Sequence, residues 1–92
     1  MRTIEQLHEA VKEIVGKHPN GVIQVCAGEM VSIINATEDA VRETANVPRT
    51  TRMFHMQYAN SRQHHPDIRL TVAANKLLAL TSLVTLQIEV AG

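Results

Sequence analysis

Pro66 to Ala91 constrains this chain more than any other stretch. After the proline it runs DIRLTVAANKLLALTSLVTLQIEVA. The spacing predicts one helix over about residues 66–90. Leu70, Ala74, Leu77, Val84 and Ile88 recur at steps of three, four or seven and so share a face. A second apolar line, Val72, Ala79, Leu83, Leu86 and Val90, follows the adjoining side. Pro66 suits a first-turn position, where an N–H would have no partner, and Asp67 suits the positive end of the helix dipole. Such a rod is roughly 37 Å long at about 1.5 Å per residue. A strand is the alternative for Leu83 to Val90, where Val, Thr and Ile are dense. A membrane span is excluded. Lys76 and Glu89 bracket only a dozen residues, Thr81, Ser82, Thr85 and Gln87 among them, whereas a span needs about 20 mostly apolar ones.

The rest of the chain must coat that rod. Residues 3–17 read as a first helix, with Ile4, Leu7, Val11, Ile14 and Val15 in one stripe. Thr3 is placed to cap it, with Gln6 three residues on, as in a capping box. Gly16 to Gly21, GKHPNG, is a turn by composition. A second long helix is expected over about 21–46. Gln24, Gly28, Ser32, Asn35, Asp39, Arg42 and Asn46 form its polar stripe, and Val22, Cys26, Met30, Ile33, Val41 and Ala45 lie opposite. The alternative is a hairpin at 22–34, VIQVCA and MVSIIN joined by Gly28-Glu29, with Asn35 capping a shorter helix. The long helix explains more positions and is preferred. Val47-Pro48 ends it, because proline disfavours the helical conformation in the residue before it.

The segment 48–69 differs from the rest. Both aromatic residues, Phe54 and Tyr58, four of the chain's six arginines and three of its five histidines lie there, with one acid, Asp67. Phe54 and Tyr58 are four apart and stack on one helical face, so a short helix is expected near 50–62. Arginine forks match anions bidentately and an aromatic ring can stack on a base. Arg49, Arg52, Tyr58, Arg62 and Arg69 are therefore the candidate anion- or nucleic-acid-binding residues. The bland reading makes Phe54 and Met56 core and the arginines an ordinary solvated face.

The run ETANVPRTTRMFHM, Glu43 to Met56, resembles a helix-turn-helix DNA reader. Val41, Ala45 and Val47 are apolar where that motif packs, and Asn46 stands where it usually has its turn glycine. The resemblance implies major-groove reading by the second helix, around 41–56. Arg42, Arg52 and His55 depart from the motif's small and apolar positions. The segment IRLTVAAN, Ile68 to Asn75, resembles ZapA-type cell-division proteins in element order if the hairpin reading holds. The first helix and Pro48 do not fit that pattern.

Ninety-two residues with balanced acids and bases suggest one domain, 1–92, with no global field to attract nucleic acid or membrane. Acids lead before Asn46 and bases after it. Cys26 is the only cysteine, which fits a reducing compartment, and a cytoplasmic location is expected. The N-terminal end has acidic residues and no long apolar run, so no secretory signal is expected there. His8 and His18 lack a second His or Cys at helical spacing, and the adjacent His64 and His65 diverge on a helix, so no metal is expected. No glycine-rich phosphate loop is present, and no cofactor or catalytic residue is assigned.

The fold expected is all-α: three main helices, about 3–17, 21–46 and 66–90, plus the short one. Two amphipathic helices leave the second apolar line of the last helix uncovered. A homo-oligomer is expected, with Val72, Ala79, Leu83, Leu86 and Val90 as its interface. The leading function is a non-enzymatic binding or adaptor protein whose basic segment takes an anionic protein, nucleotide or nucleic acid. The alternatives are a DNA-binding regulator and a small enzyme with its site between subunits.

Overall fold

Strand runs into helix without a loop at two places in this chain, and the fold is built on those junctions. The computed structural model describes residues 1–42 and 49–91, with side chains described for 1–40 and 49–84. In order, the elements are α1 (Ile4–Lys17), β1 (Val22–Cys26), α2 (Ala27–Arg42), α3 (Arg49–Gln57), a 3-10 turn (Ala59–Gln63), β2 (Arg69–Ala73) and α4 (Ala74–Ala91).

β1 and β2 pair antiparallel, with Val22 facing Ala73, Gln24 facing Thr71 and Cys26 facing Arg69. The ladder continues one step past each end. The Ala27 N–H donates to the Ile68 carbonyl at 2.7 Å, and the Ala74 N–H donates to the Gly21 carbonyl at 3.0 Å. These are the first amides of α2 and α4, which no intrahelical carbonyl can satisfy. Each strand thus caps the other strand's helix, and the two βα units are related by a pseudo-two-fold axis near Gln24 and Thr71. Corresponding positions share their environment: Val25 with Val72, Ala27 with Ala74, Met30 with Leu77 and Ile33 with Leu80 are all at most 2 % exposed.

The inner face of the strand pair carries Ile23, Val25 and Val72, with Leu70 half-buried; Val22, Gln24, Arg69 and Thr71 face out. α4 packs beneath, against α1 and α2. α1 is capped as its sequence predicts. The Thr3 hydroxyl accepts from the Gln6 N–H at 3.2 Å, and the Gln6 side chain accepts from the Thr3 N–H at 2.9 Å. Its buried residues Leu7 and Val11 join Met30, Ile33, Ile34, Phe54, Leu77 and Leu80 in one core.

The all-α expectation is corrected at two places. Residues 66–73 do not begin a helix. Pro66 and Asp67 lie in a turn, closed by the Ile68 N–H on the His65 carbonyl at 3.0 Å, and Arg69–Ala73 is strand. There Leu70 and Val72 alternate with Arg69 and Thr71, a period of two that the helical spacing farther on had absorbed. Leu83 to Val90, where a strand was the alternative, is helix. The long helix at 21–46 splits into β1 and α2, and its last residues, 43–46, lie outside the described residues. The hairpin alternative at 22–34 places a strand correctly at 22–26. Its partner, however, is 69–73, and Gly28-Glu29 begins α2 instead of making a turn. Asn35 therefore caps nothing; it lies within α2. The short helix is present as α3 and the 3-10 turn.

Candidate functional site

Among the described residues, Phe54 and His55 tie α3 to the rest of the chain. Phe54 is buried in the core, and Tyr58 stacks on it with ring centroids 4.8 Å apart and planes tilted by 48°. Burial pushes the Tyr58 phenol above its usual pKa. His55 Nε2 lies 2.7 Å from the hydroxyl of fully buried Thr37 on α2. That hydroxyl donates to the Ile34 carbonyl at 3.0 Å, so its lone pair is left for a proton on Nε2. The other face of α3, with Arg49, Thr50, Arg52, Met53, Met56 and Gln57, is exposed.

The five predicted anion-binding residues do not form one patch. Arg49 borders a hollow of about 340 Å³ between α3 and α4. Arg52 is exposed on α3. Arg62, on the 3-10 turn, donates to the Glu38 carboxylate at 3.1 Å and to Asn35 Oδ1 at 2.9 Å, so its charge is spent holding the turn to α2. Arg69 projects from the outer face of β2, beside Asp67 and Cys26, in a separate cleft of about 630 Å³. Tyr58 is half-buried against Phe54.

That second cleft is built around Glu29. The Glu29 side chain is 5 % exposed. Its Oε2 accepts from the Arg2 N–H at 3.0 Å and from Arg2 Nε at 2.9 Å, and Oε1 accepts from the Cys26 N–H at 2.9 Å. Burial works to raise the pKa of this carboxyl, but the bonds from Arg2 and from the Cys26 and Arg2 amides outweigh it and lower it to about 2. Arg2 Nη2 also donates to the Gln24 carbonyl at 2.8 Å. The cleft's centre is therefore a satisfied ion pair that ties the N-terminal residues to the β1–α2 junction.

The α3–α4 hollow has the opposite character. Arg49 and Lys76 border it, Thr50 and Gln57 supply polar groups, and Met53 and Phe54 supply apolar wall. Among the described residues no acid lines it, and neither cation has an ion-pair partner. Lys76 is the residue that sequence reasoning missed. Nothing in its neighbourhood along the chain shows that the first turn of α4 meets α3.

Of the expected interface line, Val72 is corrected. It lies on β2 and is 2 % exposed in the chain's own core, because the strand turns it inward. Ala79 is exposed and Leu83 half-buried on α4, while the side chains of Leu86 and Val90 lie outside the described residues. So do the side chain of Val41 and the whole of Ala45, Asn46 and Val47 of the helix-turn-helix resemblance. No described helix is long and apolar enough to cross a membrane. No protein-family model, curated protein or solved structure matches this chain.

Proposed function

We propose that this chain is a non-enzymatic, homo-oligomeric binding protein that takes an acidic, partly apolar protein segment in the hollow between α3 and α4. The observation that carries this reading is the pairing of Arg49 and Lys76, two cations with no ion-pair partner among the described residues, with the apolar wall of Met53 and Phe54. A carboxylate would meet Arg49 bidentately and Lys76 as a point charge. An apolar side chain beside it would cover Met53, which is 56 % exposed. Nucleic acid is the weaker fit. Its affinity comes from neutralising many phosphates, and here Arg62 is already paired, Arg69 lies in another cleft and the net charge is zero.

The test is calorimetric titration with a synthetic peptide of Asp and Glu around one Leu, against a duplex oligonucleotide of equal charge. Peptide binding that weakens by about tenfold in Arg49→Ala and again in Lys76→Ala supports the proposal, since charge-assisted contacts contribute about 1.5 kcal/mol each. Tighter, sequence-preferring binding of the duplex would move the function to DNA recognition by α3.

A further inference from the structure

The two strands leave two edges, and the chain treats them differently. Antiparallel pairs alternate between bonded and non-bonded. Gly21 with Ala74 and Ala27 with Ile68 are bonded positions, so Ile23 with Val72 and Val25 with Leu70 are too. Gln24 and Thr71 are then a non-bonded pair whose backbone groups point away from each other, to the outer edges. On the β1 edge Arg2 and Glu29 intervene: Arg2 Nη2 donates to the Gln24 carbonyl and Glu29 accepts from the Cys26 N–H. On the β2 edge the N–H and carbonyl of Thr71 have no hydrogen-bond partner among the described residues. Thr71 and Arg69 are exposed there, and no charge or proline blunts the centre of the strand.

We infer that the β2 edge is the seam between two copies of this chain, joined antiparallel with Thr71 facing Thr71 of the second copy to make one four-stranded sheet. The inference rests on the homo-oligomeric part of the proposed function and names its surface. A second copy is the occupant because the edge is self-complementary. This register uses all five residues of β2 and sets Arg69 opposite Ala73 of the second copy, on the solvent face. Centring the pair on Arg69 would instead oppose two guanidiniums and shorten the ladder. Leu70, half-buried in one copy, comes opposite Val72 of the other on the inner face. Antiparallel edge pairing places the two-fold axis perpendicular to the sheet, so both sets of helices stay on one side and the dimer is closed.

Three measurements test this. Light scattering of the parent at micromolar concentration should give twice 10.2 kDa. Thr71→Pro should give one copy with an unchanged circular dichroism spectrum, because the lost N–H points out of the β1–β2 ladder. In a Cys26→Ser background, Thr71→Cys should form a covalent dimer under diamide, since bonded antiparallel partners stand about 5.5 Å apart at Cα, within disulfide range. Val22→Cys, on the opposite strand, should not. A parent of one-copy mass overturns both the seam and the homo-oligomeric reading. An oligomeric parent with no Thr71→Cys cross-link overturns the seam alone. If Thr71→Pro unfolds, the cross-link decides.

Discussion

Glu29 shows how much a single side chain can hold. Its carboxylate satisfies the N-terminal backbone, the Arg2 guanidinium and the first free amide of the β1–α2 junction. The capping-box position, three residues into a helix, is where such a carboxylate belongs. The sequence shows Glu29 three residues after Cys26, but that spacing becomes a signal only if the helix is known to start at Ala27. The folded carboxyl, at about 2, lies below its unfolded value of 4.5. The group therefore stabilises fully above the unfolded value, and this contribution is lost as pH falls through about 4.5 toward about 2. Allowing for solvent screening of the Arg2 guanidinium, which is 40 % exposed, the stabilisation is about 2 kcal/mol. Urea midpoints from pH 7 to pH 2 should show that decline in the parent. Glu29→Gln should be less stable by a similar amount at pH 7 and flatter below pH 4.5. An identical acid profile in the variant would contradict the assignment.

Elements divide into those that announce themselves and those that do not. α1 was legible because its stripe and its Thr3–Gln6 box agree. β2 was hidden, and β1 was visible only in the hairpin alternative, because each has five residues and runs straight into a helix. With no intervening Gly or Pro to mark the change, a period of two over so short a span is absorbed by the helical period that follows. The pseudo-repeat was equally hidden, since only burial shows Met30 and Leu77, or Ile33 and Leu80, to be equivalent. It yields a prediction. Ala27 and Ala74 are both 0 % exposed at equivalent junctions. Ala27→Leu and Ala74→Leu should each destabilise by about 1–3 kcal/mol through overpacking, measured as parallel shifts in urea midpoint. A neutral result at one junction would mean that the two units are not equivalent in packing. At α3, Thr37→Val keeps shape but leaves His55 Nε2 without its partner. It should cost about 1–2 kcal/mol and speed amide exchange in α3 more than in α1. Equal acceleration in both helices would argue against that bond as the tie.

At the scale of the molecule, the core is closed by residues far apart in the chain. α1 packs on α4, and β1 pairs with β2 across the whole of α2 and α3. Neither βα unit can bury its inner face alone, because Val25 and Val72 sit on the same layer and Leu7 and Val11 of α1 complete it. Unfolding should then be one cooperative event that includes α3, whose Phe54 lies in that core. The chain supplies its own probe. Tyr58 is the only tyrosine and there is no tryptophan, so fluorescence reports the end of α3 while far-ultraviolet dichroism reports all the helices. The two urea transitions should coincide at a fixed protein concentration. Val11→Ala, which removes a fully buried side chain at the far end of the chain, should shift both midpoints together by the equivalent of about 1–3 kcal/mol. A Tyr58 transition that comes earlier, and that Val11→Ala leaves in place, would show α3 to be a separately unfolding flap. The hollow beside Arg49 would then open and close without the core.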